Sequence, residues 1–269
     1  MAPDPDWLEL CRSAVGKVRA MVAQRSSEEL RDYTGDRGEG GDMTLEIDAG
    51  AERIVLAELE ATGVGLTVIS EEVGQLDYAG GGTRVVIDPI DGSLNAKRRI
   101  HGASLSIAVA EGPAMADVVF GYVAELGDGG REWCARRGEG AWEGDARLGT
   151  LSDGEIEVLG IESADPRIVA AATELLKEGG IHRLRIIGAI ATTLCQVASG
   201  RFDAMASLWP CRSVDAAAAQ LIVREAGGAV VLPDTADEQL GADLGLDMRS
   251  RVMAARGPEA LAKLHGMLG

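Results

Sequence analysis

The stretch Val85-Val86-Ile87-Asp88-Pro89-Ile90-Asp91-Gly92-Ser93-Leu94-Asn95 decides how the rest of the chain is read. Val85 to Ile87 are β-branched and uncharged, the composition of a buried strand. Pro89 has no amide hydrogen to give a ladder and cannot sit inside a helix, so the strand is expected to stop at Asp88. Gly92 permits a sharp turn, which lets the Asp88 and Asp91 carboxylates converge while Ser93 opens the next segment. Two fixed carboxylates beside a Gly-Ser turn that can cradle phosphate point to a metal site.

The chain has 269 residues and is 46% hydrophobic, enough for a large core in one big domain or two lobes, and it excludes general disorder. Acidic residues outnumber basic ones 43 to 26, for a net charge of −17. Broad binding to nucleic acid or to an anionic membrane is therefore not expected, because both need basic surfaces. A phosphorylated substrate needs local help from a metal or from arginine. No run approaches the roughly 20 apolar residues of a membrane span, and Asp4 and Asp6 stand where a signal peptide is basic, so a cytoplasmic protein is expected. Cys11, Cys134, Cys195 and Cys211 form no CxxC pair and read as reduced thiols in apolar surroundings.

Trp7, Leu8, Cys11, Val15, Val18, Met21 and Val22 recur at helical spacing and lead into a glycine-rich acidic loop from Gly35 to Asp42. Asp42 or Thr44 is placed to cap a second helix running to about Ala61, with Ala51, Val55 and Leu59 on its inward stripe. Strands are expected at 66–69, 84–87, 104–110, 118–125, 132–135 and around Trp142, in a largely antiparallel sheet. Beyond residue 150, strands (155–161, 184–187, 202–207, 229–232, 252–255) alternate with helices (167–177, 190–199, 214–226 and one from Pro258). The fold class is α/β: an α+β N-terminal lobe over residues 1–150 and an α/β C-terminal lobe over 151–269, in extensive contact because no low-complexity linker separates them.

Acidic residues recur where these elements end. Taken singly, Glu71 and Glu72 fit solvated charges, Asp88 and Asp91 fit turn residues, and Asp215 fits a helix cap. Asp48 is harder to place, since it shares the inward stripe with Ala51 and Val55, where a carboxylate is costly unless paired or near a cation. Together they describe an oxygen-rich site for hard cations.

Four segments, "ISEEVG" (69–74), "VVIDPIDGSLN" (85–95), "RIIGAIATTL" (185–194) and "SVDAAAAQLIVREAGG" (213–228), occur in the order and at the spacings of the inositol monophosphatase family. The chain resembles that family over roughly residues 40 to 256, and the wording of the first and third segments resembles the archaeal-type enzymes with combined inositol monophosphatase and fructose-1,6-bisphosphatase activity. The resemblance implies a layered α/β/α/β/α sandwich, a homodimer, and hydrolysis of a small-molecule phosphate ester with two or three Mg²⁺ per active site. It implies that Glu71, Asp88 and the carbonyl of Ile90 hold one ion and that Asp88, Asp91 and Asp215 hold a second. Ions about 3.5–4 Å apart stabilise the attacking and departing oxygens of an in-line displacement. It further pairs Ser93 with Asp48, to help Glu71 orient and deprotonate the attacking water. The amides of Gly92 and Ser93 would donate to phosphate oxygens, and Asp91 with the Gly188-Ala189-Ile190 turn would meet substrate hydroxyls. Arg212, at the position of an arginine in the archaeal-type enzymes, would reach the distal phosphate of a bisphosphate.

The departures bear on the substrate. Ala96 and the basic run Lys97-Arg98-Arg99 follow Asn95, where many relatives carry an aromatic; the run either attracts a second phosphate or is a solvated loop. Ser207-Leu208-Trp209-Pro210 occupies the stretch where the family often places an acid that grips inositol. Asp36, Glu39 and Asp42 either feed a third, weaker metal or form an acidic loop without a ligand role. Arg185 either meets a phosphate or forms a structural ion pair. Two rivals stay open: a 3′-phosphoadenosine phosphate phosphatase, whose base pocket the 3% aromatic content argues against, and a regulatory binding protein that keeps the fold.

Overall fold

The computed structural model describes residues 5–38, 43–163, 165–236 and 240–269. Helix α1 (Trp7–Gln24) is followed by a hairpin of β1 (Tyr33–Arg37) and β2 (Met43–Leu45), then by α2 (Glu46–Ala61). Strands β3 (Leu66–Ser70), β4 (Gly74–Tyr78) and β5 (Thr83–Asp91) lead into the short helix α3 (Ser93–Arg98). Strands β6 (Ser104–Ala110), β7 (Val118–Glu125), β8 (Glu132–Arg136), β9 (Gly140–Glu143) and β10 (Ala146–Arg147) complete an eight-stranded sheet, antiparallel except where β3 pairs β5. The rest of the chain is β11 (Val158–Glu162), α4 (Pro166–Glu178), β12 (Arg183–Arg185), α5 (Ile190–Ala198), β13 (Ala204–Ser207), α6 (Ser213–Glu225), β14 (Ala229–Val231), β15 (Met253–Ala255) and α7 (Pro258–Leu268). Its strands form a second sheet in the order β12-β11-β13-β15-β14.

Three apolar cores account for five layers. Along β5, Val85 and Ile87 point into a core shared with α1 and α2, while Val86 points into one shared with α5 and α6. Both faces of the strand are therefore buried, which is why it reads as an unbroken apolar run. The α5/α6 core also takes Met205 and Ala254 from the second sheet, and a third core joins that sheet's far face to α4 and α7. The order is helices, sheet, helices, sheet, helices, as the resemblance implies.

Three expectations are corrected. β5 does not stop at Asp88 but runs to Asp91. Asp88 faces Ser106 and Asp91 faces Ser104, so one extra residue is accommodated in a bulge. On the other side β3 ends opposite Ile87, so Pro89 sits where no second neighbour needs its missing donor. The region read as a loop from Gly35 begins instead as the β1/β2 hairpin. Finally, α2 starts at Glu46 with Leu45 at its N-cap and no capping side chain; Thr44 lies within β2, not at the cap. Asp42 and Glu39, and the side chain of Asp36, lie outside the described residues, and with them the third-metal reading. All four cysteines are free, and no helix among the described residues is long and apolar enough to cross a membrane.

Candidate active site

The bulged end of β5 delivers Asp88 and Asp91. Because β3 runs parallel to β5 with Ser70 opposite Ile87, the residue after β3, Glu71, arrives beside Asp88. Its turn is fixed from α2: buried Glu52 accepts hydrogen bonds from the Ser70 hydroxyl and from the Val73 amide at 3.1 Å. Asp215 comes from the first turn of α6, where it accepts the Arg212 amide at 2.7 Å. Carboxylate oxygens of Glu71, Asp88 and Asp215 lie within 4.8 Å of one another. They open into a cavity of about 750 Å³ that Asp48, Ile90, Asp91, Gly92, Ser93, Gly188, Ala189, Ile190 and Arg212 also line.

Asp91 shares the cavity but is oriented by the second half of the chain. Its Oδ1 accepts the Ile190 amide at 3.0 Å and its Oδ2 the Ala191 amide at 2.8 Å, so it caps α5. The 187–190 turn is held from below by Glu162, a buried acid at the end of β11. Glu162 accepts the amides of Ile187 (3.2 Å) and Gly188 (3.0 Å) and the Thr193 hydroxyl (2.5 Å). The Gly188 amide is thus engaged by protein. Asn95 ties the same turn to α3, donating to the carbonyls of Ile187 (2.7 Å) and His101 (3.2 Å). Gly92 is left-handed (φ 81°), and a Cβ there would meet the Gly188 carbonyl oxygen at 2.9 Å and the Ala189 Cβ at 3.0 Å, so only glycine lets the two turns touch. Glu52 and Glu162 carry no sequence signal that separates them from ordinary polar residues, whereas Asn95 closes the 85–95 motif.

Of the basic residues singled out in the sequence, Arg212 and Lys97 line the cavity. Arg212 Nη2 is 2.6 Å from Glu71 Oε1 and its Nε is 3.9 Å from Asp215 Oδ1. Lys97 donates to the Tyr33 hydroxyl at 2.7 Å. Arg99 instead donates to the Arg25 carbonyl, and Arg185 to that of Leu184.

Burial and mutual repulsion raise the acids of the site. Burial first, then the charges of Glu71, Asp91 and Asp215, hold Asp88 well above the usual carboxylate range. Burial raises Glu71 as well, against the pull of Arg212, and burial with Asp215 and Glu162 raises Asp91. Asp48, in the first turn of α2, is pushed up to about 7 by burial and then by Glu72, with the Ser93 hydroxyl and the Leu45 amide pulling the other way. Its Oδ1 has no hydrogen-bond partner among the described residues. The Ser93 proton also has the Ile90 carbonyl within reach, at 3.0 Å. Three converging carboxylates are an oxygen-only donor set whose spacing is compatible with a hard cation such as Mg²⁺, around which opposite oxygens stand about 4.2 Å apart.

The model of the inositol monophosphatase family matches residues 7–267. The chain belongs to the inositol monophosphatase family. It is 36% identical over 208 residues, 72% of each chain, to the fructose-1,6-bisphosphatase/inositol-1-monophosphatase of Methanothermobacter thermautotrophicus. With the protein of the same name from Archaeoglobus fulgidus it shares 33% identity over 268 residues, 98% of this chain and 96% of the relative. The crystal structure of an inositol monophosphatase–fructose 1,6-bisphosphatase has the same fold, with a TM-score of 0.82 over 98% of this chain and 100% of that one at 24% identity. Family and relatives indicate a phosphatase.

Proposed function

We propose that the chain is a Mg²⁺-dependent phosphate monoester hydrolase. The observation that supports this is the convergence of Glu71, Asp88 and Asp215, from three separate elements, on one cavity, where burial raises the pKa of Glu71 and Asp88. Glu71, Asp88 and the Ile90 carbonyl would hold one ion, and Asp88, Asp91 and Asp215 another. Bound there, magnesium supplies Lewis-acid neutralisation of phosphoryl oxygens and acidifies water.

The remaining work falls to the chain's own groups. Ser93 and Asp48 form a proton path: the Ser93 hydroxyl hydrogen-bonds the buried Asp48 carboxylate and can pass it a proton. Glu71, itself raised, orients the attacking water with them. The amides of Gly92 and Ser93 hold phosphate oxygens, and Arg212 is the cation beside the ligand set that can meet a substrate phosphate. Asp91, with Ala189 and Ile190, positions the alcohol, and Gly188 shapes that turn. In this proposal residues 1–150 carry most metal ligands, residues 151–269 supply Asp215 and substrate contacts, and two chains form a homodimer.

Inositol 1-phosphate and fructose 1,6-bisphosphate are the first substrates to test, because the relatives are named for that chemistry. Purified protein is expected to release phosphate from at least one of them with Mg²⁺ and not with EDTA, and kcat/KM ranks the two. No Mg²⁺-dependent release from any ester would instead favour a regulatory role.

A further inference from the structure

We propose that the mouth of the acidic cavity selects phosphate esters whose alcohol carries a flat aromatic ring, gripped by Trp209 and Tyr33; this rests on the phosphatase reading above. The chain has four Trp, three Tyr and two Phe. All are buried or half-buried except Trp209, 65% exposed, and Tyr33, 50% exposed. Both line the cavity that holds Glu71, Asp88 and Asp215. Single exposed apolar side chains are common, but two exposed rings that line one cavity together offer a ligand apolar surface.

They come from distant parts of the chain. Tyr33 stands on β1, and its hydroxyl accepts from Lys97, whose Nζ lies 4.6 Å from the ring centroid and holds the ring against α3. Trp209 lies between β13 and α6 on a segment fixed at both ends. The Leu208 amide donates to the Glu162 carbonyl at 3.0 Å, and Cys211 and Ser250 exchange backbone bonds of 2.8 and 3.2 Å. Pro210 stiffens the step between. The indole is therefore presented by rigid backbone, three residues before Arg212 and its ion pair with Glu71.

On the Trp209 segment the Ser207 hydroxyl is buried and accepts the Val252 amide at 2.8 Å, and Ser207 does not line the cavity. Leu94, Ile168 and Pro210 line the cavity with the two rings, beside the polar Ser163 and Asp165. A flat ring has what the two rings recognise, two faces to stack and a hydrophobic edge, and its phosphate reaches the acidic end. The low aromatic content of the sequence points away from a base pocket, but a total does not reveal that the two exposed rings share one cavity.

The test uses full-length protein with Mg²⁺ and three esters: adenosine 2′-monophosphate, 2-naphthyl phosphate and inositol 1-phosphate. Trp209→Ala is expected to lower kcat/KM about 10-fold for the ring-bearing esters, through KM, and to change inositol 1-phosphate less than about 2-fold. Trp209→Phe should restore most of the loss, and Tyr33→Ala should act in the same direction as Trp209→Ala. A loss confined to the adenosine ester assigns the site to nucleosides; a loss with both assigns it to aromatic rings in general. Adenosine 2′-monophosphate should also quench the fluorescence of Trp209, the one exposed indole among the described residues, and not that of the Trp209→Phe protein. Equal effects on esters with and without a ring, or inositol 1-phosphate turnover without quenching, would overturn the ring site and leave the phosphatase reading standing. Quenching with no hydrolysis of any ester would do the reverse.

Discussion

Replacing Asp48 with Asn separates what the buried carboxylate does for catalysis from what it costs the fold. Asp48 is 6% exposed, its Oδ1 is unpartnered among the described residues, and its pKa is pushed from 3.8 up to about 7. Because the folded form binds the proton more tightly than the unfolded chain, stability is greatest below the unfolded pKa and is lost as pH rises towards 7. Above pH 7 the penalty is fully developed, about 4 kcal/mol at 1.36 kcal/mol per pH unit, an upper bound because relaxation and water entry reduce it. At pH 5 it is about 1–2 kcal/mol. Asn keeps the shape and the acceptor for the Leu45 amide but not the charge. In EDTA, Asp48→Asn should therefore melt above wild type at pH 8, by a margin about 5–10 °C larger than at pH 5, taking about 2–4 °C per kcal/mol for a chain of this size. With Mg²⁺ the same variant should lose about 100-fold or more in phosphate release, since the proton path from Ser93 is gone. An equal margin at both pH values would refute the burial argument. Undiminished turnover would refute the role given to Asp48.

Arg212→Gln removes a cation that competes with metal for Glu71. Calorimetric titration should show Mg²⁺ or Mn²⁺ binding about 10-fold tighter, while the EDTA-treated protein melts lower than wild type. Arg212→Lys should fall between; unchanged metal affinity would mean the ion pair does not oppose loading. Gly92→Ala forces a Cβ into the Gly188 carbonyl at a positive φ and should destabilise by about 1–3 kcal/mol, read as a lower melting temperature together with lower kcat. Glu162→Gln cannot accept all of the bonds from Ile187, Gly188 and Thr193; faster hydrogen exchange at 187–191 and a higher KM are expected, and unchanged exchange would show that the turn holds itself.

The sequence made most of the acidic end legible because its chemistry is local and its spacing rigid. Asp88, Ile90, Asp91, Gly92 and Ser93 occupy consecutive turns of backbone, and Asp48 betrayed itself as a charge on an apolar stripe. What was not legible depends on distant chain. The strand's continuation past Pro89 follows from where β3 ends, a fact held some twenty residues earlier in the sequence. Glu162 looks like any acid after a strand until the 187–190 turn arrives to donate to it. Asp91 reads as a metal ligand, yet the fold also spends both of its oxygens on α5, a use that exists only once the two sheets share their helices. Trp209 is apolar by composition, and only its position at the cavity mouth distinguishes it from a core residue.

The most direct measurement is phosphate release by wild type and Asp88→Asn, side by side with saturating Mg²⁺ and with EDTA, after both proteins are shown to be folded by circular dichroism. If Glu71, Asp88 and Asp215 form a metal-loaded catalytic centre, wild type turns over only with Mg²⁺ and Asp88→Asn loses about 100-fold or more under the same conditions. Wild-type turnover in EDTA, or normal release by the folded Asp88→Asn protein, would contradict it.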